Sequence, residues 1–155
     1  MAAIAPVLIL GVGNILLRDE GLGVRAIEAL LGGPDIGEDI EIIDGGTGGA
    51  TLVDLVADRR KVVVIDAIDA GQPPGTMLRV PLEQLAAASR PSVSLHEMGL
   101  LEAVAITRTL GCEPREIVVI GVQPALIEPG LDLSAPVAAV LEDLAVRALD
   151  EARRP

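Results

Sequence analysis

The sequence predicts an α/β fold: a three-layer sandwich whose mostly parallel, twisted sheet of about five strands carries helices on both faces. Three observations lead there. The Val/Ile runs, above all Val62-Val63-Val64-Ile65, are continuous rather than alternating, as in strands buried on both sides. Segments with helical period fall between those runs. Half of the residues are apolar while Phe, Trp and Tyr are absent, so the core has to be Leu, Ile, Val and Ala. At 155 residues the chain is expected to form one domain over 1–155, long enough for a full core.

Taken in order, Val7 to Val12 reads as a buried strand that runs into Gly11-Val12-Gly13-Asn14-Ile15-Leu16-Leu17-Arg18-Asp19-Glu20-Gly21-Leu22-Gly23. Gly23 to Leu31 reads as a helix ended by Gly32-Gly33-Pro34. Ile40 to Ile43 is a short strand leading to Asp44-Gly45-Gly46-Thr47-Gly48-Gly49. Thr51 to Arg59 is helical, with Leu52, Leu55 and Val56 on one face. Lys61 to Ile68 is the strongest strand. Gln72-Pro73-Pro74-Gly75 makes a turn, Met77 to Val80 suits an edge strand closed by Pro81, and Leu82 to Ala88 a short helix. Met98 to Leu110 is a helix stopped by Gly111, and Glu116 to Val122 another buried strand. A last helix is expected from about Pro136 to Ala152, with Val137, Val140, Leu141, Leu144 and Ala148 sharing a face.

Composition removes several function classes. The 23 acidic residues against 12 basic ones give a net charge of −11, which opposes binding to DNA, RNA or acidic lipid. Without aromatic rings there is no platform on which to stack single-stranded bases. The single cysteine, Cys112, can form no intramolecular disulfide. Met1 to Pro6 lacks a basic segment of the signal-peptide kind, and no run reaches the roughly 18 apolar residues of a membrane helix. A cytoplasmic protein, monomeric and without nucleic-acid or membrane partners, is expected.

In doubly wound sheets, ligands sit beyond the carboxyl ends of the strands. Three polar clusters fall there: Asn14 to Glu20, Asp44, and Asp66 to Asp69. Gly11 and Gly13 match the start of a dinucleotide fingerprint, but Leu16 stands at its third glycine, and Asp19 and Glu20 would repel phosphate. There is no Gly-x-Ser-x-Gly elbow. Cys112 lies 16 residues beyond His96, roughly 24 Å along a helix, so the two make no nucleophilic pair. His96-Glu97 opens a His-Glu-x-x-His, but Leu100 fills the second histidine position, and His96 is the sole histidine. Asp44-Gly45-Gly46-Thr47 occurs once and makes no pepsin-like dyad. Glu20, Asp66 and His96 remain. Two carboxylates and an imidazole can ligate nickel, zinc or iron with positions left open, or they can run acid–base chemistry.

At these residues the chain resembles the hydrogenase maturation proteases, endopeptidases specific for nickel-iron hydrogenase large subunits. The matching stretches are Leu8 to Gly23, Ile43-Asp44-Gly45-Gly46-Thr47-Gly48-Gly49, Val64-Ile65-Asp66-Ala67, Pro74-Gly75-Thr76, Ser94-Leu95-His96-Glu97-Met98-Gly99-Leu100 and Ile120-Gly121-Val122-Gln123-Pro124. Each is weak alone, but their order and spacing make the match specific. The resemblance implies a twisted sheet between helices. It also implies removal of a C-terminal extension from the large-subunit precursor once nickel has been inserted. Glu20, Asp66 and His96 map onto the metal-contacting positions. Asp44 maps onto a position tied to substrate contact, with Gly45, Gly46 and Thr47 beside it. The nickel is supplied by the substrate, and the isolated protein need not hold any. The family is grouped with aspartic-type peptidases. Two routes for the water are compatible with the trio: activation through the metal, or deprotonation by Asp66 or Glu20. A non-catalytic, metal-dependent checkpoint for the large subunit would use the same residues. A small nucleotide-binding domain is the third reading.

Overall fold

A computed structural model describes residues 3–87 and 95–155, with the side chains of 86–87 and 95–98 left out. Five strands form one sheet: β1 (Val7–Val12), β2 (Ile40–Gly46), β3 (Lys61–Ala67), β4 (Met77–Pro81) and β5 (Glu116–Val122). Their order is β2-β1-β3-β5-β4. The first four in that order pair in parallel, and β4 closes one edge antiparallel to β5. This is the mostly parallel, helix-covered sheet that the sequence predicts.

Helices α1 (Leu22–Leu31) and α6 (Leu141–Arg153) cover one face, and α2 (Thr51–Val56), α3 (Leu82–Ala87) and α4 (Leu95–Thr109) the other. Alternate residues of β1 serve the two layers. Val7 and Ile9 pack beneath α1 and α6, while Leu8, Leu10 and Val12 pack beneath α2 and α4. This two-sided burial, worth about 1.5–3 kcal/mol for each large side chain, is why the strands read as unbroken apolar runs. Gly11, on the α1 side, lets that helix approach closely. A Cβ on Gly23 of α1 would overlap the carbonyls of Val12 and Ile65, and one on Gly11 would overlap the Gly23 carbonyl.

Four boundaries differ from expectation by more than one residue. β2 runs on to Gly46 because a bulge at Gly45 restores pairing, Gly11 facing Asp44 and Val12 facing Gly46. α2 stops at Val56 rather than Arg59: Asp58 turns into a left-handed conformation, φ 61°, and its N–H donates to the Cys112 carbonyl at 2.8 Å. Arg59 is buried, its guanidinium bonded to the carbonyls of Ala5 and Leu55 and to Glu41. α4 starts at Leu95, so His96 lies in its first turn instead of before it. The terminal helix is two helices, α5 (Ala135–Ala138) and α6. A tightened turn, the Val140 N–H on the Val137 carbonyl at 3.2 Å, separates them, although Ala139-Val140-Leu141 contains no helix breaker. Among the described residues, no helix is long and apolar enough to cross a membrane.

Candidate active site at the carboxyl edge of the sheet

In the order β2-β1-β3-β5-β4 the chain goes outward from β1 to β2 on one side and from β3 to β4 on the other, so the connections diverge between β1 and β3. The crevice between those connections is where such sheets bind ligands. The loop after β1 is tightly specified. Asn14 Oδ1 accepts the Leu16 N–H at 3.0 Å, and the Asn14 carbonyl accepts the Leu17 N–H at 3.1 Å, an Asx-type turn. Arg18 takes a left-handed conformation, φ 50°. Its N–H donates to the Gly130 carbonyl at 3.0 Å, and the Gly130 N–H donates to the Leu16 carbonyl at 2.9 Å. Arg18 also reaches the Asp132 carbonyl with Nε and Glu128 with Nη1.

Asp19 locks this arrangement from inside. Its side chain is fully buried. Oδ2 accepts the N–H groups of Ala125 and Leu126, each at 2.9 Å, and the Ser134 hydroxyl at 2.7 Å; Oδ1 accepts the Ser134 N–H at 2.7 Å. Burial alone would raise the Asp19 pKa. The bonds from Leu126, Ser134 and Ala125 outweigh it and hold the carboxyl below its ordinary range. A carboxylate in a dry site thus staples the first loop to residues 125–134. Glu20, half-buried, follows directly in a 3-10 turn, Arg18–Gly21, that touches β3.

Asp66 is the penultimate residue of β3, 2% exposed, opposite Gly121 of β5. Its Oδ1 accepts the Ala67 N–H at 2.8 Å, which orients the carboxylate at the strand end. Beside it, buried Gln123 accepts the N–H groups of Ala70 and Gln72 with Oε1 and donates to Asp69 with Nε2. The loop after β3 is thereby tied to the end of β5. Glu20 and Asp66 therefore reach the same edge from two separately braced loops.

Asp44 is exposed at the end of β2, and its Oδ1 accepts the Gly46 N–H at 2.7 Å. Gly46 has φ 53° and its carbonyl accepts the Gly13 N–H at 2.7 Å, so the glycine-rich loop is pinned to the first loop. α4 passes over that glycine-rich loop just after its first turn, where a Cβ on Gly99 would lie 3.8 Å from the Gly49 nitrogen. This places the backbone of His96, three residues earlier, at the same edge. The His96 side chain lies outside the described residues, as does the Ala88 end of the third predicted helix. Among the described residues, no three His, Cys, Asp or Glu side chains form a metal-binding group.

Comparison with known proteins decides the family. The model described as "HycI: Hydrogenase maturation protease" matches residues 24–151. The chain belongs to the hydrogenase maturation protease family. It is 38% identical over 137 residues to the hydrogenase 2 maturation protease of Escherichia coli K12, covering 88% of this chain and 84% of that one. It is 42% identical over 123 residues to the hydrogenase expression/formation protein HupD of Thiocapsa roseopersicina, over 79% of this chain but only 56% of that relative's length. The solved structure of the hydrogenase maturating endopeptidase HybD from E. coli superposes with a TM-score of 0.88 at 36% identity, over 95% of this chain and 91% of that one. The peptidase family and its fold are thus those expected from the opening loop, the Asp66 strand and the His96 segment.

Two braced polar residues at this edge have no assignment from the sequence. Asp19 stands out there only, with Glu20, as a carboxylate that would repel phosphate, yet it is the buried one of the two. Gln123 falls in the Ile120-Gly121-Val122-Gln123-Pro124 stretch that carries the family resemblance, but its tie from β5 to the loop after β3 is not legible there. Gly11 and Gly23 let α1 approach the sheet, whereas Gly13 and Gly21 let the first loop fold on itself: a Cβ on Gly13 would overlap the Glu20 carbonyl and one on Gly21 the Ile15 backbone.

Proposed function

We propose that this protein is an endopeptidase that removes the C-terminal extension of a nickel-iron hydrogenase large-subunit precursor after nickel insertion. Family membership supports the reaction class. What supports the choice of site is that the turn bearing Glu20 touches β3, whose carboxyl end bears Asp66, and that α4, which begins at Leu95 and includes His96, meets the glycine-rich loop after β2. Glu20, Asp66 and His96 act as ligands to the nickel that the substrate brings. Three ligands leave coordination positions for the substrate's own groups, so an unloaded precursor lacks the anchor and is left uncut. Asp44, Gly45, Gly46 and Thr47 flank the crevice on the β2 side and contact the polypeptide there. One of the two carboxylates accepts a proton from the attacking water. The test is incubation with nickel-loaded and nickel-free precursor, followed by intact mass measurement of the large subunit. Loss of the extension from the loaded form alone is expected. Failure to cut any hydrogenase precursor would refute the activity.

A further inference from the structure

Ten large apolar side chains stand exposed among the described residues, and five of them lie on two neighbouring loops: Ile15, Leu16, Leu126, Ile127 and Leu131. Leu16 is 60%, Ile127 54% and Leu131 59% exposed. Of the other five, Ile106 and Leu110 lie one turn apart at the end of α4, while Ile4, Leu31 and Val146 are dispersed. Scattered apolar residues are ordinary on a protein surface, but a cluster is not. The cluster is also built on a rigid frame. The Leu17–Gly130 bridge lays the two loops side by side, and the buried Asp19 carboxylate and the Arg18 guanidinium fasten them together. Bonds of that kind hold these side chains in water, where a loose loop would fold them inward.

We infer that this ridge is the docking surface for the folded body of the large-subunit precursor, as distinct from its scissile tail. Two observations select that occupant. The ridge is continuous with the proposed site, since Leu16 and Glu20 belong to one braced loop and residues 125–131 follow β5, the neighbour of the Asp66 strand. Within it Glu128 is paired with Arg18 at 3.1 Å and exposed Asp132 adds a further carboxylate, which leaves the ridge acidic on a chain whose net charge is −11. The complementary partner surface is therefore apolar at its centre and neutral or basic at its margin. A ridge beside the scissile bond would test the folded state of the precursor, while Glu20, Asp66 and His96 test its metal.

This inference rests on the proposed protease function, and the experiment separates the two. The Leu16→Asp/Ile127→Asp double variant is compared with wild type and with Leu110→Asp, which is 67% exposed beyond the far end of α4. Cleavage of nickel-loaded precursor is expected to show KM raised by about tenfold or more, kcat within about twofold, and no change for Leu110→Asp. Equilibrium binding to the precursor should weaken in parallel. Leu16→Ser/Ile127→Ser, a milder pair, replaces the aspartates if melting shows that they disturb folding. An unchanged KM in the double variant overturns the docking surface and leaves the protease reading intact. A wild-type protein that cuts no precursor overturns the protease reading itself. A wild-type dimer that the double variant converts to monomer assigns the ridge to a second copy and also overturns the inference.

Discussion

Asp19→Asn tests whether a single buried carboxylate holds the site together. The replacement is nearly isosteric, so packing is preserved and the effect is electrostatic. Asp19 has only N–H and O–H donors around it: two backbone N–H groups on Oδ2, one on Oδ1, and the Ser134 hydroxyl. An amide must aim its NH2 at one of these sets. The less costly choice faces the Ser134 N–H, losing that bond and leaving two donors opposed in a dry site, about 1–3 kcal/mol. The remaining bonds fall from charge-assisted to neutral strength, about 1 kcal/mol each. Relief of the buried charge offsets part of this, leaving an expected loss of about 2–4 kcal/mol at pH 7. Urea unfolding measures it. The pH dependence has a fixed sign. A carboxyl whose folded pKa is depressed stabilises fully above its unfolded value, and that contribution is lost as pH falls toward the folded value. The gap between wild type and variant should therefore narrow below about pH 4. A variant within about 0.5 kcal/mol of wild type at pH 7 would refute the stapling role.

Glu151 on α6 is buried and bonded to Arg79 at 2.9 and 3.0 Å and to buried Lys61 at 3.1 Å, and chiefly the Arg79 bonds lower its pKa from 4.5 to about 2. Its contribution, up to about 3 kcal/mol, is present above pH 4.5 and lost as pH falls toward 2. Glu151→Gln should flatten the acid limb of a melting-temperature profile, and an unchanged limb would contradict the pairing. Gly23→Ala raises helix propensity by about 1 kcal/mol yet should destabilise by about 1–3 kcal/mol or more, because a Cβ there meets the Val12 and Ile65 carbonyls. A higher melting temperature would show that α1 is not seated as described. Glu20→Gln, Asp66→Asn and His96→Ala should each abolish precursor cleavage with circular dichroism unchanged. If all three stay active, the site lies elsewhere.

The sheet was legible because its strands are buried on both faces. Val7–Val12 and Glu116–Val122 are apolar or β-branched nearly throughout, and both boundaries agree with the sequence. The placement of Asp66 at the carboxyl end of a strand, and of Glu20 in the loop that follows another, was legible from the strand pattern. Asp19 was not, because its partners at 125, 126 and 134 lie more than a hundred residues away, in a stretch that reads as plain loop. Glu151 was hidden for the same reason: its cations sit on β3 and β4, and within α6 it continues a charged pattern. The split between α5 and α6 leaves no trace in Ala139-Val140-Leu141, since a tightened turn needs no special residue. The role of His96 stands on the family motif, its side chain lying outside the described residues.

Nickel dependence of cleavage tests the central claim most directly. Purified protein is mixed with the same large-subunit precursor in nickel-loaded and nickel-free forms, and the large subunit is weighed intact over time. Loss of the C-terminal extension from the loaded form, and none from the empty form, is expected. Equal cleavage of both would contradict recognition of substrate nickel by Glu20, Asp66 and His96.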